Sequence, residues 1–586
     1  MLVGGAARTD LLYTQMGFTQ LQALSPTGRC TPFDVNADGL VVGEGCGCVV
    51  LRRLADARRD GDRIYGLVAG VGLSNDMQGN LLAPDSEGQL RAMRKAYRQA
   101  GWQPSDVDLI ECHGAGTPLG DRIELQSLAA LWQDAKASPG QCPIGSIKSM
   151  TGHLLTGAGM AGLIKVLLGM KHQTLPPSLG FKDAPANSPL KDGPFRVQTA
   201  ADAWERRDDD RPRRAAVSAF GFGGINAHLL VEEYRPDHPA ATSSLAKAAA
   251  HADDAAPPAR IVPAAGPAVA LIGVEAHVGQ AKGLTAFQEA VFNGRGTFRP
   301  ASAARWKDCS ASVAGMLGGK NLPGNYLEDL DIELGAFGIP PNELEDILPQ
   351  HLLMLAVAAG ALDDAAMPQR AERPRMGAVI GMEFDLEDTD FHLRWRMPDL
   401  VSQWQRKYGL SMSREDKKAW TEALKADVCP PLTHSRTLGS LGGIIASRIA
   451  RAFRFGGPSF VVSGEELAGL KALAIARRAL QNHEVDAMLV GAVDLPGDLR
   501  RVATYERLRA FSRQSAPNPF DTAADGTLPG EGAVALVLKR LDDARADGDR
   551  VYGLVQGTGS ASGAVTTDSG DEWAGSLAEA LRRALA

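Results

Sequence analysis

The 586-residue chain is predicted to have an α/β fold in two tandem copies. Short apolar runs of buried-strand type alternate with segments of helical periodicity, which favours helices layered on sheets. A composition of 44% hydrophobic and 22% charged residues is typical of a globular protein, and a net charge of −7 gives no sign of a nucleic-acid surface. The sequence has no signal peptide or bilayer-length apolar run, and its seven cysteines form no C-x-x-C pair, so we expect a reduced, metal-free, cytoplasmic protein.

An internal repeat with an offset of 487 residues organises the chain. Met1–Gly4 matches 488–491, and residues 32–68 match 519–555 at 24 of 37 positions without a gap. So long a period indicates two copies of one large domain. The chain therefore opens inside copy one and stops inside copy two, and we expect a fragment of a larger polypeptide. The alternative is a natural protein with two half-domains.

Copy one, residues 1–233, contains alternating strand and helix patterns. Cys46–Leu51 is an apolar run of buried-strand type, and Glu87–Gln99 has a helical pattern. Further strands are predicted at 107–112, 215–219 and 227–231, and a further helix is predicted at 155–172.

Residues 234–266 change in composition to Ala, Pro, Ser, His and Asp, as in a flexible or semi-rigid linker. Copy two, residues 267–586, begins with a strand pattern at 268–273.

Two glycine-punctuated blocks carry the chemistry. Glu111–Asp121 and Gly145–His153 each place a histidine close to an apolar run, beside glycines that allow close backbone approach. Two histidines, His113 and His153, together with Lys148, suggest general-base and electrostatic work on a bound acyl group.

These blocks read H-G-x-G-T-P-x-G-D and K-S-x-x-G-H, and Gly221–His228 reads G-F-G-G-I-N-A-H. In this order they resemble the C-terminal half of a β-ketoacyl synthase. The resemblance implies a thiolase-like fold, layered α-β-α-β-α, in two incomplete copies. It also implies acyl thioester substrates carried on the phosphopantetheine of an acyl carrier protein, and no cofactor.

The same resemblance assigns roles in copy one. His113 and His153 would bind the thioester carbonyl and promote malonyl decarboxylation, with Lys148 beside them and paired with Glu124. The backbone N–H of Phe222 would be one oxyanion donor, and its ring would gate the acyl pocket. The nucleophile and the other donor would precede Met1, so this chain alone is expected not to condense acyl groups.

In copy two the family's nucleophilic Cys, eight residues beyond the Pro of G-P-S, is replaced. Counting from Pro458 leads to Glu466. A carboxylate suits a helix N-terminus but cannot carry a thioester. A cysteine-less copy following a ketosynthase resembles the chain-length factor of polyunsaturated fatty acid synthases. Two interpretations of Glu466 are open: an ordinary acid at a helix start, or a residue with a role in decarboxylation or in the substrate tunnel.

Several residues have structural interpretations instead. Cys112 follows Glu111 on a strand and is expected to be packed, and His228 is expected to be structural. Cys46 and Cys48 alternate with their neighbours on one strand face, where copy two has alanines, so we expect small apolar packing.

The sequence therefore predicts an acyltransferase fragment. Its parent reaction would be decarboxylative Claisen condensation with malonyl-acyl carrier protein, through a ketosynthase paired with a chain-length factor. The alternative is a non-catalytic truncated or scaffold protein, because copy one lacks the cysteine and copy two has Glu466.

Overall fold

The computed structural model describes most of the chain and confirms an α/β fold. The described residues are 1–8, 12–78, 81–236, 266–296, 298–306, 309, 311–312, 315, 322–383, 386, 388–508, 511–512, 514, 519–563 and 570–585. Most of the predicted linker, residues 237–265, lies outside them.

The strands are β1 (Leu2–Ala7), β2 (Gly45–Val50), β3 (Leu67–Asn75), β4 (Leu109–Glu111), β5 (Cys142–Gly145), β6 (Thr174–Leu175), β7 (Phe195–Val197), β8 (Asp202–Ala203), β9 (Arg214–Gly221), β10 (Ile225–Glu232), β11 (Val269–Val278), β12 (Ala281–Lys282), β13 (Arg299–Pro300), β14 (Pro323–Gly324), β15 (Met376–Met382), β16 (Ser459–Val462), β17 (Ala487–Asp494), β18 (Gly532–Arg540) and β19 (Gly553–Val555).

The α-helices are α1 (Leu12–Gln20), α2 (Leu54–Arg59), α3 (Ser86–Ala100), α4 (Pro118–Leu131), α5 (Lys148–Thr151), α6 (Ala158–His172), α7 (Gly283–Phe292), α8 (Pro349–Asp364), α9 (Asp388–Lys407), α10 (Arg414–Val428), α11 (His434–Gly439), α12 (Ile445–Ala452), α13 (Ala468–Gln481), α14 (Leu499–Leu508), α15 (Leu541–Asp547) and α16 (Gly570–Leu585). The predicted helix at 87–99 is α3. Asp85 caps its N-terminus by accepting the N–H of Glu87, and Gly101 ends it with a φ of 69°.

The chain forms two compact units. Unit 1 comprises 1–255 and 387–438, and unit 2 comprises 256–386 and 439–586. The segment 387–438 belongs to copy two by sequence but clusters with unit 1. The boundaries 1–233, 234–266 and 267–586 describe the sequence repeat, and as domain limits they stay a prediction.

Unit 1 contains a six-stranded sheet in the order β3-β10-β9-β4-β5-β7 and a separate antiparallel pair, β1-β2. Helix α6 contacts both sheets, while α3 packs on β3 and β10 and against α4. The parallel strands β4 and β5 end next to each other; His113 lies in the loop after β4, and Lys148 begins the short helix α5 after β5.

Unit 2 is built on one mixed sheet in the order β12-β11-β18-β17-β15-β16, with β19 added beside β11. Helix α8 contacts β11, β17 and β18, and α13 contacts β15, β16 and β17. The largest apolar cluster of unit 2 lies under α8 and includes Leu489, Ala533 and Ala535.

The prediction for Cys46–Leu51 is correct for the strand, which is β2, and wrong for its burial. Cys46 and Cys48 are exposed, because the face of β2 that carries them has no covering element among the described residues of unit 1. Their counterparts Ala533 and Ala535 in unit 2 are buried.

None of the helices in the described ranges is both long enough and apolar enough to cross a membrane.

Candidate active site

His113 lies in the loop between β4 and α4. Its Nδ1 accepts the backbone N–H of Phe220 at 3.2 Å. Glu124 on α4 holds the loop from the other side, because its two carboxylate oxygens accept the N–H groups of His113 at 2.7 Å and Gly114 at 2.8 Å. Burial raises the pKa of Glu124 to about 7, although these two hydrogen bonds oppose the shift.

The loop is too crowded for a larger residue at position 114. Gly114 has a φ of 32°, and an added Cβ would lie 2.9 Å from the Cβ of Ser146 and 3.1 Å from the ring of Phe33. The glycine therefore lets the His113 backbone approach the neighbouring loop. Asp121 supports the same region by accepting the N–H groups of Phe33 at 2.8 Å and Gly116 at 3.2 Å.

His153 lies in the loop that follows α5. Its Nδ1 accepts the N–H of Leu155 at 3.0 Å, and its own backbone N–H donates to Val41 at 2.6 Å. Gly152, with a φ of 70°, makes the turn that places the ring. Burial, followed by the charge of Lys148, lowers the pKa of His153 to about 3.

The two imidazole rings meet edge to face, with centroids 5.4 Å apart. Burial and then the charges of Lys148 and His153 also hold the pKa of His113 well below its usual value, so both rings are neutral at pH 7. A neutral ring that accepts at Nδ1 carries its proton at Nε2. The hydrogen bonds therefore assign an Nε2–H donor to each histidine, and two such donors suit an oxygen that gains negative charge.

Lys148 is buried at the start of α5, and its ammonium donates to the backbone carbonyl of His113. Burial lowers the pKa of Lys148, and the carboxylates of Glu111 and Glu124 oppose that shift. The expected pairing of Lys148 with Glu124 needs correction. The two groups attract one another electrostatically, but Lys148 donates to the His113 carbonyl, whereas Glu124 accepts the N–H groups of His113 and Gly114.

Phe222 occupies the turn between β9 and β10. Its ring packs on Phe18 with centroids 5.8 Å apart, and its N–H has no acceptor among the described residues. Gly223 and Gly224 have φ values of 82° and 79°, and a Cβ at Gly224 would lie 2.6 Å from that of Asp76. Such a turn leaves the Phe222 amide available as a donor.

Cys112 and His228, which were predicted to have structural roles, are both packed in the interior as expected. Cys112 is buried in the apolar core of unit 1, and burial raises its pKa well above the usual thiol value. His228 is fully buried, bonds to the hydroxyl of Ser218 at 3.1 Å and stacks on Tyr97.

In unit 2, Glu466 is exposed within a single turn of 3₁₀-helix, Glu465–Leu467, immediately before α13. Glu383, which follows β15, was not predicted as a site residue. Its carboxylate accepts the N–H groups of Gly464, at 3.1 Å, and of Glu465. Two of the N–H groups that precede α13 are therefore already occupied by a side chain of the same unit. The available signal was an acidic residue directly after a fully apolar strand.

The described residues contain no group of three or more His, Cys, Asp or Glu side chains arranged to hold a metal ion.

Comparison with known proteins identifies the family. Residues 65–182 match Beta-ketoacyl synthase, C-terminal domain, and residues 1–57 and 267–544 match Beta-ketoacyl synthase, N-terminal domain. The second match covers more than half of the chain, so the chain belongs to the β-ketoacyl synthase family and has its thiolase-like fold.

Two curated relatives and one solved structure show what the chain is similar to within this family. The chain is 31% identical over 565 residues to a polyunsaturated fatty acid synthase subunit of Thraustochytrium sp. (strain ATCC 26185 / S-3), covering 95% of this chain and 26% of that protein. It is 41% identical over 237 residues to polyketide synthase PksL of Bacillus subtilis (strain 168), covering 40% of this chain and 5% of that protein. Among solved structures, the PfaC keto synthase-chain length factor matches with a TM-score of 0.81 and 31% identity, covering 96% of this chain and 57% of that one. The chain thus spans about a quarter or less of these curated relatives.

Proposed function

We propose that this chain belongs to a synthase that extends acyl chains by decarboxylative Claisen condensation, and that unit 1 provides its decarboxylation site. The observation that carries the proposal is the pair of neutral imidazoles, His113 and His153, whose Nδ1 atoms accept backbone N–H groups. The similarity to polyunsaturated fatty acid and polyketide synthases supports the same reaction class.

The proposed step begins with the carbonyl oxygen of a malonyl thioester accepting the two Nε2–H groups. The bond between the α-carbon and the carboxylate breaks, and carbon dioxide leaves. The electron pair of the broken bond stays with the α-carbon and forms the enolate. The two donors stabilise the enolate oxygen, because preorganised N–H groups in a buried site need little rearrangement as charge develops. The enolate carbon then attacks an acyl thioester, and the acyl-carrying thiolate is the leaving group. No cofactor is required.

We propose that copy two has a non-catalytic role, like that of a chain-length factor paired with a ketosynthase. By the count from Pro458, Glu466 stands where the family has its nucleophilic cysteine, and Glu383 accepts the N–H groups of Gly464 and Glu465 just before α13. Substrates would arrive on an acyl carrier protein in a reduced, cytoplasmic compartment.

Carbon dioxide release from malonyl-acyl carrier protein tests the proposal. We expect the chain to release carbon dioxide, and His113→Ala to reduce the rate by about 100- to 1,000-fold, the usual effect of losing one oxyanion donor. His172→Ala, an exposed histidine at the end of α6, is the matched control and should retain the wild-type rate. Release no faster than in buffer would favour the scaffold alternative.

A further inference from the structure

A buried ion pair lies beneath the two histidine loops. Glu111 is the last residue of β4 and Lys165 lies on α6; they are 2% and 8% exposed, and the ammonium is 2.7 Å from Oε2 of the carboxylate. Gly162 on the same helix leaves room for the pair, because an added Cβ would lie 3.0 Å from Cγ of Glu111. A buried ion pair is rarely worth its desolvation for stability alone, so its contacts indicate another role.

The contacts of Glu111 lead to the active-site loop. Its second oxygen, Oε1, accepts the backbone N–H of Ile147 at 2.6 Å. Ile147 immediately precedes the short helix α5, which begins with Lys148, and the loop after α5 carries His153. Because Glu111 also ends the strand that leads into His113, one carboxylate connects the two histidine loops.

The charges of the pair also act on Lys148. Burial lowers the pKa of Lys148. Among the groups that oppose this shift, Glu111 has the largest effect, ahead of Glu124, Cys30 and Asp121. Burial raises the pKa of Glu111, and Lys165 is foremost in opposing that shift, so Lys165 favours the ionised carboxylate. His113 and His153 face the same ammonium as neutral rings.

We propose that Glu111 and Lys165 are positioning residues for the decarboxylation site. Glu111 holds the Ile147 backbone and supplies the charge that keeps Lys148 cationic, and Lys165 keeps Glu111 ionised. Neither side chain contacts the substrate in this scheme. The activity part of the inference rests on the proposed function; the positioning part does not.

Three variants test the pair in the full chain: Glu111→Gln, Lys165→Met, and the double variant that removes both charges. The double variant guards against misfolding, since replacing a whole buried pair with neutral groups of similar shape is often nearly neutral for stability. Glu232→Gln is the matched control, because Glu232 is a buried carboxylate paired with Arg214 at the far end of β10 from the Phe222 turn.

Hydrogen exchange of residues 147–153 is the readout that does not depend on activity. Glu111→Gln and the double variant should exchange faster in this segment than wild type, whereas Glu232→Gln should not. The pH profile of carbon dioxide release is the second readout. In Lys165→Met the alkaline limb of this profile should move to lower pH, and the maximal rate should fall by up to about a hundredfold, as for a slightly displaced catalytic group. In Lys165→Arg the limb should return towards its wild-type position.

Unchanged exchange and an unchanged pH profile in all three variants would overturn the inference. Faster exchange in Glu111→Gln, combined with no carbon dioxide release from the wild-type chain, would support the positioning role and contradict the proposed function. Failure of the positioning role and failure of the proposed function therefore give different experimental results.

Discussion

The repeated segment has opposite surroundings in its two copies. In unit 1, Leu2 and Val50 are cross-strand partners on the outer face of β1-β2 and are 72% and 77% exposed. Their counterparts in unit 2, Leu489 and Val537, are fully buried beneath α8. The same strand pattern is thus core in one copy and surface in the other.

A buried carboxylate shows the same contrast. Glu531 accepts two hydrogen bonds from Arg305 and one each from the N–H groups of Leu327 and Gly497. Its counterpart Glu44 is exposed. The Gly-Glu-Gly sequence shared by residues 43–45 and 530–532 therefore forms an ion-pair centre only where an arginine lies beside it.

The contrast reverses at a phenylalanine. Phe33 is 2% exposed and packs in the core of unit 1 beside the His113 loop, whereas its counterpart Phe520 is fully exposed in unit 2. Both have nearly the same left-handed backbone, with φ of 67° and 66°. Local conformation is therefore encoded within the repeat, and burial depends on elements outside it.

The largest expected difference is at this phenylalanine pair. Phe33→Ala should destabilise unit 1 by about 3–5 kcal/mol, the usual cost of deleting a buried ring, and Phe520→Ala should stay within about 0.5 kcal/mol. Urea unfolding, with hydrogen exchange resolved to peptides of each unit, measures both. Equal losses would contradict the difference in burial.

The next test concerns the carboxylates. Glu531→Gln should destabilise unit 2 by about 2–3 kcal/mol, because it leaves the partly buried Arg305 without its charged partner. Glu44→Gln should change stability by less than about 0.5 kcal/mol. The same unfolding experiment applies, and a large effect of Glu44→Gln would show that this residue has a partner in the protein.

A third test measures how protonation of His153 in unit 1 makes the stability of the protein depend on pH. The pKa of His153 is lowered to about 3 in the folded state, so below its usual value of 6.5 the unfolded chain binds a proton that the folded chain does not. Stability should therefore fall with decreasing pH between these values, and for this group the slope is about 1.4 kcal/mol per pH unit. Removing the group by His153→Gln should flatten the measured dependence by about that slope. Identical slopes would contradict a buried neutral imidazole.

The smallest effect on stability is expected at the exposed cysteines. Cys46→Ala and Cys48→Ala should each change the free energy of unfolding by less than about 0.5 kcal/mol. In the wild-type chain, a thiol reagent should label Cys46 and Cys48 under native conditions and leave Cys112 and Cys142 unlabelled until unfolding, which mass spectrometry of peptides detects. Early labelling of Cys112 would contradict its packing.

Much of the fold followed from the sequence because periodicity and glycine placement are local signals. The predicted helix at 87–99 is α3, and the predicted strands at 215–219 and 227–231 are β9 and β10. The exposure of Cys46 was mispredicted because periodicity reports an apolar face and cannot report whether another element covers it.

The site was only partly readable for a related reason. The motifs located His113 and His153, but their tautomers depend on backbone donors, and the N–H that reaches His113 comes from Phe220, 107 residues away. The Glu111–Lys165 pair joins residues 54 positions apart and has no local signature.

The tautomers of His113 and His153 are the most direct test of the account. Nitrogen-15 NMR of labelled protein, assigned with His113→Ala and His153→Gln, should show the proton on Nε2 and none on Nδ1 for both rings, without change from about pH 5 to pH 8. That result would confirm two neutral donors facing the proposed enolate oxygen. A proton on Nδ1, or an imidazolium near pH 6 in either ring, would contradict it.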